Sequence, residues 1–457
     1  MSSDELSETA GILFMTTALR KHEISSERNT RRCSINLPDE VSESIRTSLE
    51  KRFSLSPFCV FLLYGSGGGG HKASVDAVSY LCKVKFPHWK VLSLNVSELA
   101  GCEFGDRVYN FILQQDLAGV VGVLYSVAQT FGPLLSDKFT SRLKREWKNY
   151  PKPDVIVSFV PFLNTSIIES APYAKHITVM TDFTHTEAHP WLQDKRQTVF
   201  CGTSEAYEQA RKMGFLKSKL KLLSGMVVHP RFYSEFIPND QLSLLDYLSF
   251  FGFDMCFPTF LIIFGAFPPH DSTLRLISLL ALRGTSEKNI QKKVASLDKT
   301  GMSQNFLETM LKTMERVNIL CVCGKNKRLL NSIQKVFPKE EGFLVHAIGF
   351  TDQIPLFMRM SELVISKPGP GVVAEALVSK KPLLLVAEEK NLMEQERAVA
   401  AWVRRHGVGK VVNNLESAAT ISYEEILHLK ENVERLPENR AIFEVVEELE
   451  KISRDAT

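Results

Sequence analysis

The sequence predicts an α/β protein built on two parallel sheets. Short apolar runs of strand length, among them 58–63, 155–158, 259–265, 319–323 and 363–366, alternate with stretches of helical spacing along the chain. Two of the runs end in glycine-rich turns that open helices, at 65–70 and at 367–371. At 457 residues the chain has room for two or three domains.

The first turn is the sharpest local signal. Phe58–Leu63 reads as a buried strand, and 73–84 as a helix with Ala77, Val78 and Leu81 on one face. Gly65, Gly67, Gly68, Gly69 and Gly70 stand between them. A tight turn needs one glycine. Five imply a backbone that a ligand approaches closely, at a helix start whose free N–H groups favour anionic or oxygen-rich groups. Gly65-x-Gly67-x-x-Gly70 also matches the dinucleotide fingerprint, with Glu98 as a candidate acidic partner after strand 91–96. His71 argues for something else. A histidine at a helix N-terminus is pushed toward its neutral form and can take a proton, which a dinucleotide site does not require.

Composition bounds the remainder. The chain is 44% hydrophobic and 23% charged with a net charge of +3, as for a soluble globular protein. That balance suits anionic ligands or lipid surfaces and gives no argument for nucleic acid. Eight cysteines are scattered. Cys59 and Cys321 fall in strand-like runs as buried thiols, and Cys321-Val322-Cys323 lacks zinc spacing. A reducing compartment is expected. There is no secretory signal, and Asp4, Glu5 and Glu8 argue against a transit peptide.

Residues 1–52 read as a polar, partly disordered extension. Residues 117–135 carry no charge, and Lys138, Arg142, Lys144, Arg145 and Lys148 follow at once. Either this is a buried helix pair, or an apolar face with a basic flank that binds a membrane surface. The strand 176–180 ends in Thr181-Asp182-Phe183-Thr184-His185, with His189-Pro190-Trp191 just beyond. Open α/β sheets place ligands at such carboxyl ends, which makes Asp182, His189 and Trp191 candidates, against the plainer alternative of core histidines. Residues 242–257 form an apolar connector and 286–301 a polar insertion. The second glycine turn, Lys367-Pro368-Gly369-Pro370-Gly371-Val372, sets the amides of Gly371 and Val372 at a helix start. Glu375 lies one turn in, where its carboxylate can accept from two sugar hydroxyls or simply pair with the helix dipole.

These motifs together resemble the monogalactosyldiacylglycerol synthases and the processive diacylglycerol glucosyltransferases. The segments are Gly68-Gly69-Gly70-His71-Lys72-Ala73-Ser74, Thr181-Asp182 with His189-Pro190-Trp191, Gly225 to Phe232, Cys323-Gly324-Lys325-Asn326, Gly349-Phe350-Thr351, Lys367 to Ala376, Gln395-Glu396 and His406-Gly407-Val408-Gly409. The resemblance covers roughly 55–420. It implies the GT-B fold: two Rossmann-like domains facing across a cleft, at 53–235 for the acceptor and 259–435 for the sugar nucleotide. A connector at 236–258 joins them, and a C-terminal helix at 436–457 packs back toward the first domain. It further implies inverting transfer of a hexose from UDP-galactose or UDP-glucose to a lipid hydroxyl, most simply diacylglycerol, without cofactor or metal, at the cytoplasmic face of a membrane. His71 or Asp182 would be the base. Gly67, Gly68, Gly69, Gly70, His189 and Trp191 would line the acceptor side. Gly265, Gly324, Phe350, Lys367, Pro368, Gly369, Pro370, Gly371, Val372, Glu375, Gln395 and Glu396 would line the donor side.

Three departures stand out. Met226 replaces a usual proline, and Val399 replaces an asparagine four residues after Gln395. Pro268 and Pro269 remove two N–H donors from the turn after 259–265, where the family has glycines. Two alternatives therefore stay open: N-acetylglucosaminyl transfer to a polyprenyl-linked acceptor, and a degenerate member that binds nucleotide or lipid without turnover.

Overall fold

The structure, a computed structural model, describes residues 57–65, 69–102, 135–184, 190–236, 244–283, 316–338, 344–388 and 392–456. The extension 1–52, the uncharged stretch up to 134 and the polar insertion 286–301 lie outside the described residues.

The first sheet holds β1 (Cys59–Tyr64), β2 (Lys90–Asn95), β3 (Val155–Ser158), β4 (Lys175–Val179), β5 (Thr198–Cys201) and β6 (Leu220–Leu222), in the order β2-β1-β3-β4-β5-β6. The second holds β7 (Thr259–Ile263), β8 (Asn318–Val322), β9 (Val345–Ile348), β10 (Leu363–Ser366), β11 (Leu383–Val386) and β12 (Gly409–Val412), in the order β12-β11-β10-β7-β8-β9. Every pairing in both is parallel. β3, β7 and β10 are buried at every residue. Strands covered by helices on both faces need such continuous apolar runs, and the sequence supplies them. This is the expected α/β architecture.

The helices used below are, with the first sheet, α1 (Gly70–Lys85), α2 (residues 135–146) and α3 (Ser204–Lys212). α4 (Leu244–Phe250) belongs to the connector. With the second sheet come α5 (His270–Leu280), α6 (Lys327–Val336), α7 (Pro370–Val378) and α8 (Glu394–His406), and α9 (Ala441–Ala456) ends the chain. α1 buries Val75, Ala77, Val78, Leu81 and Cys82, close to the expected face. α2 buries Leu143, with Trp147 just beyond it in the same cluster, and leaves Lys138, Arg142, Lys144 and Arg145 exposed.

Strand order creates two crevices. β1 lies between β2 and β3, and β7 between β8 and β10. The connections after β1 and β3, like those after β7 and β10, leave toward opposite faces, so the carboxyl ends part there. The loop carrying His71 follows β1. The loops at 264–269 and 367–371 follow β7 and β10.

Two polar devices tie the halves together. The C-terminal helix returns to the first sheet: Lys221 Nζ meets Glu448 Oε2 at 2.9 Å, the Ser224 N–H donates to Glu444 Oε2 at 3.0 Å, and Asn439 Nδ2 donates to the Met226 carbonyl at 2.9 Å. Gly225 is glycine because a Cβ there would come within 2.5 Å of the Asn439 side chain. The connector is held by Asn318, fully buried at the start of β8. Its Nδ2 donates to the carbonyls of Asp254 and Phe257 at 2.8 and 2.9 Å, and its Oδ1 accepts from the Asp254 N–H at 3.1 Å. Asn318→Ala strands these groups, so it should lower stability by about 2–4 kcal/mol in denaturant titration. A loss under about 0.5 kcal/mol would show that the connector is held by its apolar contacts alone.

Candidate active site

His71 lies in the first turn of α1, at the crevice beside β3 and β4. Its Nδ1 is 3.1 Å from Thr181 Oγ1 at the end of β4, and the Phe159 carbonyl after β3 lies beside the ring. Desolvation in this corner lowers its pKa to about 4, with the Phe159 carbonyl opposing weakly. The imidazole is thus neutral at physiological pH. Gly69 and Gly70 face open space, since a Cβ on either meets nothing within 4 Å. Nothing among the described residues crowds a side chain there, which suits a backbone that a ligand approaches closely. Gly67 and Gly68 lie outside the described residues, as does His189.

Asp182 follows Thr181 and is buried. Burial raises its pKa to about 6, and one hydrogen bond, from Trp191 Nε1 to Oδ2 at 2.7 Å, works the other way. One sequence expectation changes here. Trp191 is fully buried, so it does not line the acceptor side. Its indole clamps Asp182, and its ring lies 5.6 Å from that of His71. Asp182 also makes no hydrogen bond to His71 among the described residues; Thr181 takes that place. The sequence hides this because Thr181 and Asp182 are neighbours, and strand alternation decides which of them meets the ring. Trp191 is itself oriented by a buried polar set: Gln197 Nε2 donates to its carbonyl at 2.7 Å, and Thr178 Oγ1 donates to Gln197 Oε1 at 3.0 Å. Phe162 adds a constraint. It adopts a left-handed φ of 66°, rare for a non-glycine residue, while its N–H donates to the Pro190 carbonyl at 2.9 Å.

On the second sheet, Lys367 to Gly371 leads from β10 into α7. Pro370 begins the helix and lacks an N–H, and the Val373 N–H donates to the Gly369 carbonyl at 3.1 Å. That leaves the amides of Gly371 and Val372 at the helix start. Gly369 and Gly371 both face open space. Glu375 sits one turn in, half-buried, with its carboxylate taking no hydrogen bond among the described residues. Burial raises its pKa to about 7, opposed only by the charge of Arg231 from the end of the first half.

Other expected donor residues are placed differently. Glu396 is buried and committed: Oε1 meets Lys367 Nζ at 3.0 Å and Oε2 accepts from the Met393 N–H at 3.1 Å. It holds the lysine and caps α8, and has no free edge for a sugar. Gln395 is half-buried, its amide 3.5 Å from Met393 Sδ. Val399 is fully buried, so the departure from asparagine fills core. Gly265 has φ 86° and Gly324 φ 53°. A Cβ on Gly324 would lie 2.4 Å from the Ala266 carbonyl, because the two loops are zipped together. The Lys325 N–H donates to the Ala266 carbonyl at 2.8 Å and Asn326 Nδ2 to that of Pro268 at 2.9 Å. The prolines therefore leave a loop tied by its carbonyls. Lys325 Nζ lies 5.9 and 5.5 Å from the rings of Phe267 and Phe350, and Phe350 is 71% exposed.

The described residues hold no group of three metal-ligating side chains, no helix long and apolar enough to cross a membrane, and seven free cysteines, of which only Cys256 is exposed.

Residues 286–453 match the glycosyltransferase family 28 C-terminal domain. Among named proteins, the chain is 24% identical to the monogalactosyldiacylglycerol synthase of Spinacia oleracea over 438 residues, 91% of this chain and 76% of that one. It is likewise 24% identical to a processive diacylglycerol beta-glucosyltransferase of Staphylococcus saprophyticus, over 58% of each chain. The chain is thus similar to named glycosyltransferases along most of its length and carries the match to the family 28 domain in its second half. Acinetobacter baumannii MurG superposes with a TM-score of 0.51 at 11% identity, covering 86% of this chain and 99% of MurG. The fold is GT-B.

With His71 neutral down to about pH 4, the group that titrates near neutrality on the first sheet is Asp182, ionised above about pH 6. Sugar transfer should therefore show an acid limb near that value. The Trp191 N–H favours the carboxylate, so Trp191→Phe should move the limb to higher pH. An unmoved limb would exclude Asp182 as its source.

Proposed function

We propose that this glycosyltransferase moves a hexose, galactose or glucose, from its UDP-sugar to the hydroxyl of a membrane lipid, diacylglycerol being the simplest acceptor, with inversion to a β-glycoside. The observation that carries the proposal is the uncommitted Glu375 carboxyl, one turn behind two open amides at the β7/β10 crevice. A ribose diol can donate to such a carboxylate while the attached diphosphate caps the helix start. Phe350 offers an exposed ring for the base. Gln395, Gly265, Gly324, Pro368 and Gly369 border the same edge.

In the proposed reaction His71 is the base. The neutral imidazole carries one N–H, and its other ring nitrogen takes the acceptor proton. The acceptor oxygen attacks the anomeric carbon on the face opposite the diphosphate, the bond from that carbon to UDP breaks, and the configuration inverts. Charge on the departing diphosphate falls on the Gly371 and Val372 amides, the α7 dipole and Lys367, with no metal in the scheme. Asp182 stays within the indole clamp and sets the local potential. The names of the relatives support a diacylglycerol acceptor. The exposed cations of α2 suit the surface of an anionic bilayer.

One observation favours the binding-only alternative: the carbonyl-tied loop at 265–269 offers the donor fewer amides than glycines would. The deciding experiment offers UDP-galactose, UDP-glucose and UDP-N-acetylglucosamine in parallel to the protein with anionic vesicles containing diacylglycerol. Transfer from one of the two hexoses is expected. His71→Ala should slow it by roughly 10²–10⁴-fold at unchanged UDP affinity, and Glu375→Ala should weaken UDP binding by roughly 1.5–3 kcal/mol. Arg142→Glu with Lys144→Glu and Arg145→Glu should reduce vesicle binding. UDP binding with no transfer from any donor would establish the binding-only alternative. N-acetylglucosamine transfer to a polyprenyl phosphate in place of hexose transfer would establish the other.

A further inference from the structure

One helix of the second half touches both ends of the site. At its N-terminus, Glu396 holds Lys367 at 3.0 Å. Six residues on, about 9 Å along the axis, Trp402 presents its ring edge-to-face to Phe183, centroids 5.2 Å apart at 74°. Phe183 is 2% exposed and directly follows Asp182. Trp402 is backed by His406, stacked on it at 3.9 Å and 23°, whose Nδ1 bonds the Trp402 carbonyl at 2.9 Å. Arg405 pairs with Glu205 of α3 beside the same contact. On the first half, the Phe183 carbonyl accepts from the hydroxyl of Thr203, the cap of α3. The Asp182–Phe183 corner is thus gripped by its own sheet on one side and by α8 on the other.

We propose that Trp402 is a positioning residue, and that α8 is the strut holding the Asp182 corner of the acceptor half in register with the donor-side lysine. The proposal rests on the transferase reading above, in which Lys367 serves the diphosphate and Asp182 sets the potential around His71. Trp402 touches no reacting atom. It acts through Phe183, the chain neighbour of Asp182, whose ring it meets edge-to-face. Among the described residues, the titratable and charged groups around that corner are His71 from α1, Glu205 from α3, and Arg405 and His406 from α8. Burial and the Trp191 hydrogen bond are what set the ionisation of Asp182. Removing the Trp402 ring admits water beside Phe183 and lets the carboxyl ionise at lower pH.

The test uses the full chain and two readouts. The first needs no turnover. Trp191 donates to Asp182, so its fluorescence changes as that carboxyl titrates, with a midpoint near pH 6 that Asp182→Asn abolishes. In Trp402→Ala the midpoint should fall toward the ordinary carboxylate range, and in Trp402→Phe it should stay. The second is kinetic. Trp402→Ala should lower kcat by roughly 10–100-fold while the KM for the UDP-sugar changes by less than about twofold, and Trp402→Phe should restore kcat. Where Trp402→Ala does not fold, Trp402→Leu, which keeps bulk without the ring edge, carries both readouts. A Trp402→Ala or Trp402→Leu protein with an unmoved midpoint and undiminished kcat overturns the proposal. A moved midpoint in a protein that transfers no sugar at all leaves the positioning role standing and removes the transferase reading instead.

Discussion

The site depends on one constraint: ionisable groups are held out of water without a counter-charge in hydrogen-bond contact. Parallel strands covered on both faces leave only their carboxyl ends open, so polar side chains that must meet a ligand collect there. His71, Asp182 and Glu375 sit at those ends, and desolvation is the largest influence on the titration of each. For Asp182, burial disfavours the folded state at neutral pH by on the order of 3 kcal/mol relative to an exposed carboxylate. That cost is fully present above about pH 6 and vanishes below the ordinary carboxylate range. A purely structural core would exclude such a group or pair it with a cation. Here the helix dipole of α1, the indole of Trp191 and the amides at the start of α7 supply neutral or partial-charge partners, and Glu375 is left open.

The two halves contribute unequally. The edge proposed for the donor is mostly backbone: Gly369, Gly371 and the α7 amides, with Glu375 and Lys367 as its charged members. The edge proposed for the acceptor is mostly side chain, packed behind His71 in layers of Thr181, Trp191 and Gln197. Backbone cradles tolerate change around them, which explains how Val399 can be core and how Pro268 and Pro269 can occupy a loop the glycine pattern would have left open. α8 touches both edges, Lys367 through Glu396 and Phe183 through Trp402.

Much of this was legible in the sequence. Continuous apolar runs identified the parallel strands, and the two glycine turns identified both crevices, because strand-to-helix turns in such sheets can carry ligands only at one end. His71 and Glu375 were readable from their positions one turn from those glycines. What the sequence misassigned were side chains whose partners lie far away in the chain. Glu396 looked free for a sugar, yet Lys367, 29 positions earlier, claims it. Trp191 looked exposed in a polar segment, yet it is the floor under Asp182. Phe183 and Trp402 carried no local signal, since an edge-to-face contact between residues 219 positions apart leaves no spacing to read.

The central claim, that Glu375 is a half-buried, unpaired carboxyl proposed to take the donor ribose, is most directly tested by proton-linked calorimetry of UDP-glucose binding. Its diphosphate does not titrate near neutrality, so protons exchanged on binding come from the protein. With Glu375 titrating at about pH 7, a diol that donates to the carboxylate selects the ionised form. Binding at that pH should then release about half a proton, read from the dependence of the heat on buffer ionisation enthalpy, and Glu375→Gln should abolish the release. Binding that is proton-neutral from pH 6 to 8, or a release that persists in Glu375→Gln, would contradict the account.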